Sequence, residues 1–325
     1  MHFLRLIRPV NLLVIALTMY SVRLFFVPYM ESFEQTHGTF SLWESIDYFL
    51  LVFSTIIIAA GGNIINDYFD VKADKVNKPH KVIIGKYIKP RWAIVTHWLL
   101  NFFAFAIACY LSFKHDTFWY VFIHLFSINA LWFYSMYFKR KFFIGNLLIA
   151  ALTGLVPILS GIYFLDITEP YQSSAFNQLM ENNESWITAL NLKIFFVVFF
   201  ALFATALNLV REMVKDIEDV EGDKLLHAKT LPIVLGIAKT KWIASTLLLT
   251  FFLLPIPFIF EAYELYQLEF IYAFAPAILI VLLWILSLFL LLGAKERMQF
   301  KRIGLLLKII MVIGCCMPIY WYFLA

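Results

Sequence analysis

Asp67, Asp70 and Asp74 stand at positions i, i+3 and i+7 in the stretch GGNIINDYFDVKAD (61–74), and the same spacing returns as Asp216, Asp219 and Asp223 in REMVKDIEDVEGD (211–223). On a helix such positions share one face, so each stretch gathers three carboxylates. Six carboxylates brought together repel strongly at low local dielectric unless cations bridge them. A ligand set of oxygens, without thiols or imidazoles, suits Mg²⁺, which keeps several waters and shares its coordination with substrate phosphates. The chemistry this points to is ionisation of an allylic diphosphate: the departing diphosphate is stabilised where its charge develops. The carbocation left behind can be held over aromatic faces. The chain has 35 Phe, 16 Tyr and 9 Trp, although contact with lipid calls for aromatic residues in any case.

Two Mg²⁺ ions do not balance six aspartates and a diphosphate, so basic side chains are needed as well. Lys139 and Arg140 follow the fourth apolar span, Arg211 and Lys215 precede the second acidic motif by one or two turns, and Lys78 follows the first. Arginine matches the paired oxygens of a diphosphate and lysine supplies a point charge. Asn208, one turn before Arg211, and Tyr134 near the basic corner join this substrate-binding set, as does Asn11, a polar group within the first apolar run. Lys81 and Lys141 read as anchors on an anionic leaflet, and Arg23 as a side chain that snorkels to the outer interface. Cys109, Cys315 and Cys316 lie in apolar runs without ligand spacing and read as packing residues. His80 is expected to be a solvated loop residue.

The elements that must position these groups are membrane spans. A chain of 325 residues that is 62% hydrophobic and only 15% charged cannot hide its apolar surface in one soluble core. Nine spans are expected, near 10–29, 46–65, 92–113, 117–138, 143–164, 189–210, 241–260, 270–293 and 304–324. The fold class is therefore all-α: a polytopic bundle around a central cavity, forming a single membrane domain over 1–325. Because the acidic motifs lie four spans apart, two pseudo-repeated halves are expected, roughly 1–140 and 141–325. Basic residues collect after the second, fourth, sixth and eighth spans. The loops after the first, fifth and seventh carry acidic residues and neither Lys nor Arg. By the positive-inside rule the amino terminus and both motifs are cytoplasmic and the carboxyl terminus is on the opposite side. The net charge of +4 is explained by that leaflet, with no nucleic-acid partner required. Arg23 and the lack of a small-residue cleavage site mark the first span as a retained helix.

These residues resemble the UbiA family of membrane prenyltransferases, whose hallmarks are NxxxDxxxD and DxxxD. The first is matched by Asn66, Asp70 and Asp74, the second by Asp219 and Asp223; NKPHK, YSMYFKRKFFIGN and KTLPIVLG extend the likeness over most of the chain. The resemblance implies nine helices around a cavity, two Mg²⁺ ions, and transfer of a prenyl chain from a polyprenyl diphosphate to a lipophilic acceptor. It assigns Asn66, Asp70, Asp74, Asp219 and Asp223 to metal and diphosphate binding, with the four aspartates catalytic; Asp67 and Asp216 share the same faces. Lys139 and Arg140 resemble the corner that holds the diphosphate. In place of an arginine-proline-proline-serine-glycine-like stretch after NKP, the chain has HKVIIGKYIKP, which leaves the shape of that lid-like loop open. The glycines of AAGG (59–62) allow either close helix packing or local unwinding.

LIRPVNLLVIAL and the wording of the second motif are similar to the branch that alkylates geranylgeranylglyceryl phosphate. An aromatic quinone precursor is the alternative acceptor, and the acceptor's proton could pass to an aspartate or to the leaving diphosphate. A cation-coupled transporter is a rival of another class, but transporters place binding carboxylates near the midplane on broken helices, whereas these motifs fall at span ends. A structural subunit has no use for a duplicated aspartate set.

Overall fold

The structure, a computed structural model, describes residues 2–37, 42–179, 184–253, 260 and 270–324. It is all-helical over these residues apart from turns and one isolated bridge between Ile84 and Ile88. In chain order the α-helices are α1 (His2–Ile7), α2 (Pro9–His37), α3 (Leu42–Asn77), α4 (Pro90–Lys114), α5 (Trp119–Met136), α6 (Ile144–Leu179), α7 (Glu184–Leu225), α8 (Leu231–Val234), α9 (Ile237–Phe251), α10 (Phe270–Gly293) and α11 (Arg297–Leu324). Short 3₁₀ turns cover Pro79–Lys81 and Phe138–Arg140.

Among the described residues six stretches are helical, long and apolar enough to cross a membrane: Ile46–Asn77, Pro90–Lys114, Ile144–Asp166, Phe196–Leu225, Ala275–Gly293 and Arg297–Tyr320. Helices α2, α5 and α9 occupy the other expected span positions but fall below that length or apolarity over the described residues. The acidic residues Glu31, Glu34, Glu44, Glu169, Glu181, Glu184, Glu261, Glu264 and Glu269, on which the expectation for the opposite face rests, have side chains outside the described residues.

The outer surface differs from that of a water-soluble bundle, and polar groups as well as apolar ones are buried between the helices. Phe102, Phe113, Phe122, Trp242 and Phe289 point outward, while Ser21, Asp47, Ser54, His97, Asn101, His124 and Ser160 are buried between helices. When the surroundings are hydrocarbon, an apolar residue gains nothing by moving inward, whereas polar groups must find partners inside. They do: Ser54 meets the His124 imidazole at 2.8 Å, the His97 ring meets the Gly61 carbonyl at 2.9 Å, and the Trp284 indole donates to the Leu248 carbonyl at 2.8 Å, tying α10 to α9.

Helix α7 is the axis of the arrangement. It packs on α3, α6, α9 and α11, and its buried residues Leu207, Val210, Met213 and Val214 join the main apolar core. Helices α3, α4 and α5 form the neighbouring group, with α2 between α3, α6 and α11. AAGG stays helical, so close packing and not unwinding explains it: a Cβ on Gly62 would meet Leu131 at 2.8 Å. Both acidic motifs therefore lie on unbroken helices, which continue past the apolar stretch to Asn77 and Leu225.

Candidate active site

The last turns of α3 and α7 are fastened to each other. The Asn77 carboxamide donates to the Asp219 carbonyl at 3.0 Å and accepts from the Gly222 backbone N–H, also at 3.0 Å. Gly222 permits this approach: a Cβ there would stand 2.2 Å from Asn77 Nδ2 and 2.9 Å from the Ala73 carbonyl. The joint is completed from two further elements. Lys78 donates to Asp219 at 2.8 Å and lies 3.5 Å from Glu218, and Arg297, at the start of α11, donates to the Asn77 carbonyl at 2.7 Å and lies 3.7 Å from Asp219. The positive Arg297 thus meets the α3 terminus, where unpaired carbonyls favour a cation.

Two turns back along α3 from Asn77, Asp70 of the first motif meets Lys139, which is also within electrostatic reach of Asp223 of the second. The 3₁₀ turn Phe138–Arg140 carries its ammonium to the Asp70 carboxylate, with Asn66 Oδ1 at 3.3 Å, while the Asn66 amide donates to Asp70 at 2.9 Å. Asp74, from α3, and Asp223, from α7, both lie within electrostatic reach of Asp70 and Lys139. Burial opposes the charge on Lys139, but the carboxylates of Asp70 and Asp223 outweigh it and hold its pKa above the ordinary lysine value. The space between the motifs therefore has room for positive charge, and in this structure a lysine supplies it. Gly145 lets the following helix start close behind this turn, since a Cβ there would meet the Phe138 carbonyl at 2.7 Å.

The remaining residues divide into three groups. Asp67 pairs with Arg8, and Asp216 accepts from the Asn146 amide at 2.8 Å. Asn208, Arg211 and Lys215 line the cavity beside the motifs: Asn208 donates to the Thr153 hydroxyl at 2.7 Å, and Arg211 and Lys215 clasp Glu212 at 2.8 and 3.0 Å. Asn11 and Tyr134 line the same cavity, Tyr134 nearly buried and Asn11 accepting from Lys308. Arg140 takes part through its backbone carbonyl, which accepts from the Lys229 N–H at 2.8 Å. The loop that departs from the family wording turns tightly at Gly85, whose φ of +83° suits glycine and whose N–H bonds the Ile88 carbonyl at 2.8 Å.

The cavity has a volume of about 320 Å³. Its polar lining includes Asn63, Asn66, Arg211 and Lys215, while Leu12, Ile58, Ile123, Leu152, Val156 and Leu159 make much of the rest apolar. Such a shape accepts a molecule with one charged end and a hydrocarbon remainder. Arg8, Glu212, Lys308, Asn77 and Arg297 belong to this region and were not assigned to it from sequence. Glu212 alone carried a signal, standing one turn before Asp216 on the motif's own face.

Among the described residues no three carboxylate, imidazole or thiol groups are drawn into a ready metal cage. The donor set is nonetheless oxygen-rich and spread over two facing helices, which fits a hard cation that completes its coordination with water and phosphate. The pattern of the UbiA prenyltransferase family matches residues 35–323. Digeranylgeranylglyceryl phosphate synthase of Sulfurisphaera tokodaii is 30% identical over 75% of this chain and 78% of its own length. A solved structure described as giving insights into digeranylgeranylglyceryl phosphate synthase in membranes superposes with a TM-score of 0.63 at 24% identity, covering 99% of this chain and 97% of that one. A UbiA homolog from Archaeoglobus fulgidus bound to DMAPP and Mg²⁺ gives 0.50 at 15% identity, covering 98% and 99%. The transporter and scaffold readings fall with this match: the chain is a multi-pass membrane protein and belongs to the UbiA prenyltransferase family.

Proposed function

We propose that the protein transfers a prenyl group from a polyprenyl diphosphate to the free hydroxyl of geranylgeranylglyceryl phosphate. The observation that carries this reading is the pairing of Asp70 of the first motif with Lys139, within electrostatic reach of Asp223 of the second, beside a largely apolar cavity that Asn66 lines. The relatives supply the acceptor, since the Sulfurisphaera tokodaii protein is a digeranylgeranylglyceryl phosphate synthase. Nine spans with the amino terminus and the motifs on the cytoplasmic side, and two halves in which α3 and α7 are counterparts, complete the proposal.

Asn66, Asp70 and Asp74 from α3 and Asp219 and Asp223 from α7 would hold Mg²⁺, as a homolog from Archaeoglobus fulgidus was solved with it. When bound, Mg²⁺ supplies Lewis-acid neutralisation of the diphosphate. Lys139 and Lys78, which stand against Asp70 and Asp219, would donate to diphosphate oxygens, with Arg140 close by in the same turn as Lys139. The C–O bond between the allylic carbon and the diphosphate breaks, and its electron pair leaves with the diphosphate. The acceptor hydroxyl then forms the ether bond, and its proton goes to an aspartate or to the diphosphate. Tyr134 offers a ring at the rim where positive charge develops on carbon. The apolar wall from Leu12 to Leu159 excludes water that would otherwise trap that carbon.

The test is a panel in detergent or liposomes: labelled geranylgeranyl diphosphate with Mg²⁺ and geranylgeranylglyceryl phosphate, 4-hydroxybenzoate or dihydroxynaphthoate. The expected outcome is a doubly alkylated glyceryl phosphate and Mg²⁺-dependent diphosphate release with the first acceptor alone. A prenylated aromatic product in its place would overturn the proposal.

A further inference from the structure

The cavity is more positive than a single diphosphate held at the motifs requires. Its lining includes Arg8, Arg211, Lys215 and Lys308, against one carboxylate, Glu212; the six motif aspartates lie outside that lining. Arg8 is paired with Asp67, and Arg211 and Lys215 with Glu212. Lys308 differs. Its ammonium donates to Asn11 Oδ1 at 2.5 Å, and among the described residues no carboxylate lies within ion-pair distance of it. A lysine inside a membrane-spanning helix without a counter-ion is costly, and such groups commonly line a polar pathway or hold an ion.

Its depth sets it apart from the joint of Asn77 with Asp219. Its partner sets it apart from Asn66, which lies 11 residues before Asn77 on α3, lines the same cavity and is met by Lys139 where Lys308 meets Asn11. Arg297 reaches Asp219 from the first turn of α11, and Lys308 lies 11 residues further along that helix, or roughly 16 Å at the α-helical rise. On α7, Arg211 precedes Asp219 by eight residues, roughly 12 Å. Lys308, Arg211 and Asn11, from α11, α7 and α2, therefore converge on the cavity well inside the level of Asp219. Lys78 and Lys139, by contrast, are engaged with the motif aspartates themselves. A donor and an acceptor that both carry phosphate must be kept apart by two separate sets of cations, or one headgroup will occupy the other's place.

We infer that Lys308, with Asn11 and Arg211, forms a second anion subsite that takes the phosphate monoester of the acceptor, distinct from the diphosphate site at the aspartate motifs. This rests on the reading of the acceptor as a lipid-linked glyceryl phosphate. Holding that phosphate deep in the cavity would turn the glycerol hydroxyl toward the allylic carbon at the motifs. It would also discriminate against an uncharged glycerol ether, which leaves Lys308 unanswered.

The experiment compares wild type, Lys308→Gln and Lys308→Arg in two measurements. The first is steady-state alkylation with geranylgeranylglyceryl phosphate; the second is equilibrium binding of that lipid and of its dephosphorylated glycerol ether, without donor. Thermal unfolding of each variant checks that it is folded. Loss of one charge-assisted contact predicts a rise in acceptor KM and Kd on the order of 10-fold to 100-fold for Lys308→Gln. Binding of the dephosphorylated ether and the KM for geranylgeranyl diphosphate should stay within about 2-fold, and Lys308→Arg should recover most of the loss. If donor KM rises with the acceptor's, or if the phosphorylated lipid loses no affinity in Lys308→Gln, the subsite is refuted. If wild type binds the phosphorylated lipid selectively but does not alkylate it, the acceptor assignment falls while the subsite stands.

Discussion

Replacing Lys139 with methionine should move metal binding and catalysis in opposite directions. Lys139 is paired with Asp70 and is within electrostatic reach of Asp223, and the side chains of Lys139 and Asp70 are 21% and 10% exposed. Breaking a buried ion pair by removing one member costs about 3–5 kcal/mol, because the other charge is left uncompensated. The partial exposure and the bond from Asn66 favour the low end, about 3 kcal/mol, in the metal-free protein. In wild type a divalent ion must compete with the lysine for Asp70, whereas in Lys139→Met it does not. Mg²⁺ should therefore raise the unfolding temperature of the variant more than that of wild type, and half-saturation should shift to lower Mg²⁺. Turnover should fall nonetheless, by roughly 10²-fold to 10³-fold, as for loss of one preorganised donor to a developing anion. The assay is thermal unfolding in detergent across a Mg²⁺ titration, paired with diphosphate release. A variant with unchanged metal-free stability and unchanged turnover would refute the reasoning. So would one whose apparent Mg²⁺ affinity falls.

Two further substitutions test the surroundings. Gly222→Ala should force α3 and α7 apart at Asn77 and cost about 1–3 kcal/mol, the range for overpacking; unfolding and turnover should suffer together, and normal values for both would refute the role of the joint. Glu212→Gln removes the one carboxylate of the cavity lining and leaves Arg211 and Lys215 unanswered. Stability should fall by about 2–3 kcal/mol, below the range for a fully buried pair since both cations keep partial exposure, and the affinity for an anionic lipid should rise; weaker binding would contradict the charge count.

Much of this arrangement is legible in the sequence because the dominant forces are local. The runs of apolar residues locate six of the nine expected spans among the described residues, and the i, i+3, i+7 spacing sets the aspartates on shared helix faces before any contact is known. Lys139 is legible for the same reason, since a basic corner that follows an apolar span supplies the charge that two acidic motifs need. The partners that complete the site depend on how distant helices are rotated. Lys308 lies 297 positions from Asn11, and Arg297 lies 220 from Asn77; nothing in local spacing selects those pairs from among other basic residues near span ends. Arg8 reads equally well as a leaflet anchor until α1 is seen to set it against Asp67. The AAGG stretch is ambiguous for a comparable reason: small residues permit both unwinding and close approach, and the bulk of Leu131 across the interface decides for packing.

The account depends on the two motifs building one site. Mg²⁺-dependent binding of a labelled, non-ionisable thiolo analogue of geranylgeranyl diphosphate to wild type, Asp70→Asn, Asp219→Asn and the double variant tests this directly. A shared site predicts that each single substitution removes most of the binding and that the double variant loses little more than either one. Strictly additive losses, or one ligand retained per intact motif, would contradict it.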